Sequence, residues 1–227
     1  MARPYRLALL IMLTAAFFTF SSSAIAGETS ADFSPSSIFC KDRITFQVVS
    51  GVLASPFALA ARTLVLDYAQ TNIRIGRMLN DPQERKYWFR GNTEVIFEIS
   101  NSYIFKGFGH YIGGITGLVR YNFVHPDSRF IPYIQGGVGI VYNDAYKDMT
   151  QRAIGQAIEF TPQASVGFRY ILNKHWSLDA EAMFHHISNA RLAERNWGIN
   201  AFGGFIGLTY YTDWLYTGSL LKKLMGE

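Results

Sequence analysis

Glu159-Phe160-Thr161-Pro162-Gln163-Ala164-Ser165-Val166-Gly167-Phe168-Arg169-Tyr170 is the stretch that decides the fold. Side chains of an extended chain point alternately to opposite faces. Phe160, Ala164, Val166, Phe168 and Tyr170 therefore share one face, and Glu159, Thr161, Gln163, Ser165 and Arg169 the other. The pattern recurs upstream. Thr93, Val95, Phe97, Ile99 and Tyr103 oppose Glu94, Glu98, Ser100 and Ser102, and Tyr111, Ile115, Val119, Tyr121 and Phe123 oppose His110, Thr116, Arg120 and Asn122. Eight such stretches, near 42–50, 62–78, 91–102, 110–123, 130–142, 158–171, 175–188 and 199–211, each reach the roughly 9–11 residues that a tilted membrane strand needs. Apolar residues outside and polar residues inside is the order of a membrane barrel and the reverse of a soluble one. The expected fold is all-β: an eight-stranded antiparallel transmembrane β-barrel over residues 42–211.

Composition supports this reading. Of 227 residues, 49% are hydrophobic, 15% aromatic and only 17% charged, which is apolar for a water-soluble domain. Residues 1–26 have the form of a signal peptide: Arg3 and Arg6, an apolar run over 7–20, and the small-x-small site Ala24-Ile25-Ala26. Beyond it no apolar run reaches the about 18 residues of a membrane helix. The formal charge of +4 falls to +2 without Arg3 and Arg6, too little for a nucleic-acid partner. Residues 27–41 are expected to form a periplasmic lead-in, with room for a helical turn. Residues 212–227 form a C-terminal tail, read as either an amphipathic interfacial helix or a disordered end. Cys40 is the only cysteine, so no internal disulfide is available, and it lies too far from the cleavage site to be a lipoprotein cysteine.

The interior face would collect Glu94, Glu98, Arg120, Glu159, Arg169, Asp179 and Glu181. In a barrel this narrow, side chains fill the lumen, and mutual neutralisation is the expected role of these charges. The glycine groups Gly113, Gly114, Gly117; Gly136, Gly137, Gly139; and Gly203, Gly204, Gly207 fit close strand packing, and none is followed by a phosphate-loop lysine. No cofactor or metal is expected. The links near 124–129 and 172–174 are short, while those near 51–61, 143–157 and 189–198 are longer, which directs the second set outward. The 79–90 link is longer than its periplasmic position favours.

On the seventh stretch, Trp176, Leu178, Ala180, Ala182 and Phe184 share a face with His186 and Ser188, while Ser177, Asp179, Glu181 and His185 share the other. An imidazole and a hydroxyl two residues apart on a strand are neighbours, an arrangement that suits a nucleophile and its base. The spacing alone is weak, since such a pair also suits a strand simply reaching the headgroup region.

His186-Ile187-Ser188-Asn189-Ala190, Gly198-Ile199-Asn200 and the stretch 159–167 together resemble the outer-membrane lipid A 3-O-deacylase family of the PagL type, also labelled acyloxyacyl hydrolase. The resemblance is strongest over 130–211. It implies an outer-membrane serine esterase that removes the ester-linked 3-O acyl chain from the lipid A of lipopolysaccharide, with its site on the outer face of the barrel. Ser188 would be the nucleophile, His186 the base, and the Asn189 side chain with backbone N–H groups near Ala190 the oxyanion donors. The chain departs from the family's pattern at two positions: Asn200 stands where a base-orienting glutamate is found, and Arg191 where a glycine commonly follows Ser-Asn-Ala. Glu194 is the nearby carboxylate in the same loop. Arg191 and Arg195 are candidates for lipid phosphates. The rival readings are a non-catalytic barrel, whether pseudoenzyme, structural or lipid-binding, and a small channel. A homodimer is left open.

Overall fold

The structure, a computed structural model, describes residues 34–55, 65–82 and 89–215. The expected signal peptide and the last twelve residues of the tail lie outside them. Eight antiparallel strands follow in order: β1 (Arg43–Ala54), β2 (Asp67–Met78), β3 (Gly91–Lys106), β4 (Tyr111–Phe123), β5 (Phe130–Asn143), β6 (Ile158–Ile171), β7 (Trp176–Ile187) and β8 (Ile199–Leu215). Each strand pairs with its sequence neighbours, and β8 pairs with β1 to close the barrel. Closure leaves no sheet edge unpaired, which is the condition for a sheet to cross lipid.

The faces sort as the alternation predicts. Val95, Phe97, Ile99, Ile115, Val119, Ile134, Val138, Val166 and Ile206 are exposed on the outer wall. Glu94, Glu98, Arg120, Glu159, Arg169, Asp179 and Glu181 are all buried inside. Aromatic pairs lie near both ends of the wall, Phe130 with Phe168 and Trp176 with Tyr210 at one, Tyr111 with Tyr142 and Phe184 with Phe202 toward the other. Girdles of this kind sit at the two membrane interfaces. The long connections 144–157 and 188–198 leave the end that also carries 55–66, which is the extracellular end in such a barrel.

The lumen is held by a ladder of ion pairs. Arg74 donates from Nε to Glu98 (2.6 Å), and from Nη1 and Nη2 to the two oxygens of Glu181 (2.7 and 3.1 Å). Arg120 Nη1 lies 3.3 Å and Arg169 Nη1 3.2 Å from the same Glu94 oxygen, and Arg169 Nε lies 3.4 Å from Asp179. Tyr133 donates to Glu181 (2.8 Å), with the Arg120 guanidinium 4.4 Å from its ring centroid. Such crossed pairs fill the middle of the barrel; Arg74 and Arg120 are hydrogen-bonded to the lumenal glutamates and glutamines, whereas Arg169 is held by its charges alone. Glu159 is the exception among the expected interior charges. Its carboxylate accepts the Gly155 and Gln156 N–H groups (3.0 and 3.1 Å) at the outer rim and has no ion-pair partner among the described residues.

Several strand limits differ from expectation, with β1 running to Ala54, β2 starting at Asp67 and β3 running to Lys106. β8 runs on to Leu215, which pairs with Arg43 across a register shift, so the barrel does not end at residue 211. The pairing partner, which local pattern cannot show, sets that end. Residues Pro35–Ile38 form one 3-10 turn whose Ile38, with the following Phe39, is buried, and the Phe39 ring meets Tyr211 edge-on at 5.9 Å. The described part of the lead-in, residues 34–41, thus contains the helical turn for which the sequence left room and packs against the barrel, while residues 27–33 lie outside the described residues.

Candidate active site

The site is built where β7 ends. Its alternation turns His185 inward and His186 outward, so the two neighbouring imidazoles serve different environments. His185 is buried, with the Tyr68 hydroxyl 2.6 Å from Nδ1 and the Thr161 hydroxyl on Nε2. This polar pair satisfies the ring, and His185 is part of the lumen.

His186 is paired in register with Asn200 of β8, and its Nδ1 lies 2.7 Å from Asn200 Oδ1. A carbonyl oxygen only accepts, so Nδ1 carries the proton and Nε2 keeps its lone pair. That is the tautomer a general base requires. Gly198 makes room for the ring. Its φ is +72°, and a Cβ there would stand 3.0 Å from His186 Cε1. Glycine meets both demands, the left-handed backbone and the close approach.

Ser188 follows one residue after β7 and is held by a bridge to β6, in which Phe160 N–H donates to Ser188 O (2.7 Å) and Ser188 N–H to Phe160 O (3.0 Å). It shares the outward face with His186, roughly 7 Å away between Cα atoms. Among the described residues no hydrogen bond joins the Ser188 hydroxyl to His186. Nucleophile–base contacts are often loose without substrate and tighten in the complex. Ser188 and Ala190 stand at one end of an outer groove of about 680 Å³, walled by Phe97, Ile115, Val138, Ile140, Phe160 and Pro162.

The chain after Ser188 turns sharply, with Ala190 at φ +52° and Arg191 at φ +69°. Both are in the left-handed region that side chains other than glycine adopt at a cost. Neither residue's N–H has a partner among the described residues. Two expected roles change here. The Asn189 side chain is buried, and its Nδ2 donates to Arg195 O (2.9 Å) while its N–H donates to Asn196 Oδ1 (2.9 Å). It fastens the turn and is not presented to the groove. Arg195 donates to the carbonyls of Tyr146 (2.8 Å), Asp148 (2.8 Å) and Gln151 (3.3 Å), so its guanidinium ties the 144–157 loop to the 188–198 loop. Three of the five guanidinium hydrogens are engaged by backbone carbonyls, which makes Arg195 a tie between loops. Arg191 is exposed, and Glu194 is exposed, with no hydrogen bond between it and His186 among the described residues.

The sequence reading missed Asn196 and Gln151 as organisers. Gln151 accepts from Ala153 and Ile154 N–H (2.7 and 2.9 Å) and donates to Ile154 O (2.8 Å), holding the neighbouring loop in shape. Only their loop positions were visible in sequence. Among the described residues no cluster of His, Cys, Asp and Glu could hold a metal ion.

The backbone at Arg191 yields a prediction. Arg191→Gly is expected to raise stability by about 1 kcal/mol, read as a higher unfolding midpoint in urea, because glycine adopts φ +69° without strain. If Arg191 also binds a lipid phosphate, the same variant raises KM while kcat holds. Lowered stability would show that the side chain makes a contact outweighing the strain.

The profile described as Lipid A 3-O-deacylase (PagL) matches residues 70–209. The chain belongs to the lipid A 3-O-deacylase (PagL) family. The match spans five strands, β3 to β7, completely and most of β2 and β8, including His186, Ser188 and Asn200. No curated protein sequence matches the chain. Among solved structures, it is similar to Neisserial surface protein A at 11% identity and a TM-score of 0.53, over 74% of this chain and 96% of that one. The outer membrane enzyme PagL is similar at 16% identity and a TM-score of 0.49, over 72% and 97%. The N-terminal β-barrel domain of Pseudomonas aeruginosa OprF is similar at 11% and 0.49, over 76% and 98%. The likeness to Neisserial surface protein A shows the eight-stranded fold alone. Family and barrel together place this lipid A 3-O-deacylase family member in the bacterial outer membrane.

Proposed function

We propose that the protein is a serine esterase that removes the 3-O-linked hydroxyacyl chain of lipid A from within the outer leaflet. The observation that carries this reading is the His186–Asn200 hydrogen bond on the lipid-facing wall, beside Ser188 at the end of an apolar groove. A lipid substrate reaches such a site laterally and needs no lumenal pocket. Ser188 Oγ attacks the ester carbonyl as His186 Nε2 takes its proton. The tetrahedral oxyanion is met by the N–H groups of Ala190 and Arg191. The Asn196 amide nitrogen, whose oxygen is engaged by Asn189, is a third donor beside the same turn. Collapse expels the sugar 3-oxygen, which takes the proton from His186, and leaves the acyl group on Ser188. Water activated by His186 then releases the 3-hydroxy fatty acid.

The amide at position 200 supports a second reading, a barrel that keeps the scaffold and binds lipid without hydrolysing it. Asn200 fixes the tautomer but brings no negative charge to offset the imidazolium that forms in the transition state. Incubating the purified protein with lipopolysaccharide and weighing the lipid A by mass spectrometry separates the two readings. Loss of one hydroxyacyl group supports the esterase, and unchanged lipid A supports the binding barrel.

Within the esterase reading, Asn200→Glu is expected to raise the rate by roughly 10–100-fold, or about 1.4–2.8 kcal/mol of transition-state stabilisation. Asn200→Ala lowers the rate, and Glu194→Gln leaves it unchanged. A Glu194→Gln variant that alone lost activity would move the base's partner into the loop.

A further inference from the structure

The groove follows the register of four strands. Phe160, bridged to Ser188, pairs with Ile140, and Ile140 pairs with Ile115. One row further from the rim, Pro162 pairs with Val138, Val138 with Gly117, and Gly117 with Phe97. Phe160 lies two residues below the outer end of β6 at Ile158, Ile140 three below Asn143, Ile115 four below Tyr111, and Phe97 nine below Lys106. The path therefore starts beside Ser188 at the rim and sinks toward the middle of the bilayer as it crosses from β6 to β3.

Gly117 is the low point of this path. A Cβ placed there meets nothing within 4 Å, whereas its register partners Val138 and Phe97 stand up on either side, 69% and 49% exposed. The missing side chain is a gap in an otherwise continuous apolar wall, and Phe97 stands beyond it at the end away from Ser188.

We propose that Gly117 and Phe97 determine which acyl-chain length the site accepts; this rests on the deacylase reading above. The chain runs from the ester at Ser188 past Phe160 and Ile140, lies over Gly117 and ends against the Phe97 ring. Lipid tails are as apolar as the groove, so seating a chain gains little from leaving water, and selection rests on contact and shape. A chain that stops short of Gly117 forfeits contacts along the floor. One that overshoots must bend out over Phe97.

The test compares wild type, Gly117→Leu and Phe97→Ala on lipid A whose 3-O-hydroxyacyl chain is varied in two-carbon steps, with kcat/KM read from the released acid. Gly117→Leu is expected to favour shorter chains and Phe97→Ala longer ones, each changing the long-to-short ratio by about tenfold in opposite directions. Heat-dependent mobility in SDS gels checks that each variant forms the barrel. If Gly117→Leu does not assemble, Phe97→Ala decides alone. Hydrolysis by wild type with an unshifted profile in the assembled variants, or an equal loss on all lengths, overturns the length-setting role and spares the deacylase reading. No release from any chain by wild type overturns both.

Discussion

Replacing Ser188 by alanine is expected to lower ester release by roughly 10³–10⁶-fold while the barrel assembles as before. The size follows from the chemistry, since without the hydroxyl no acyl-enzyme forms and only the groove and the oxyanion donors remain. The indifference of the fold follows from position. Ser188 lies beyond the last residue of β7, and its bridge to Phe160 uses backbone atoms that alanine retains. His186→Ala is expected to fall in the same range, because the imidazole is needed to take and return one proton. Residues acting as a unit are not additive, so the double variant should be little slower than either single one. Single-turnover rates on lipid A and the heat-dependent gel shift give the two readouts. A Ser188→Ala protein that kept most of its rate would remove Ser188 as the nucleophile.

Arg74→Met is expected to destabilise the barrel by about 3–5 kcal/mol, the cost of leaving buried charge without its partner. Arg74 is fully buried and reaches three acceptors, Glu98, Glu181 and Gln47 (Nη1 to Oε1, 3.0 Å). Its loss strands two carboxylates where water cannot follow. Restoring neutrality should recover part of the loss, so Arg74→Met with Glu98→Gln and Glu181→Gln is expected to be more stable than Arg74→Met alone. Urea unfolding in lipid vesicles, followed by tryptophan fluorescence, measures both. The folded fraction should keep its specific activity, since the site is on the other side of the wall. Equal midpoints for wild type and Arg74→Met would mean that the lumenal pairs contribute no net stability.

The barrel, its polar interior and the face carrying His186 and Ser188 were all legible in the sequence, because the period of two is a property of the extended chain and repeats wherever one side meets lipid. Arg74 obeys the same alternation between Ile73 and Ile75 and was readable in principle. What the alternation could not supply was partnership across strands. Whether His186 met Asn200 or Glu194 depended on the β7–β8 register, which local pattern leaves open, and the extension of β8 to Leu215 depended on its pairing with β1. The turn after Ser188 was opaque for a different reason. Loop side chains have no period to give their direction, so Asn189 and Arg195, expected to face the substrate, instead satisfy backbone groups of the packed loops. The groove exists only in the folded wall, since Phe97, Gly117, Val138 and Phe160 are remote in sequence and become neighbours when four strands are set in register.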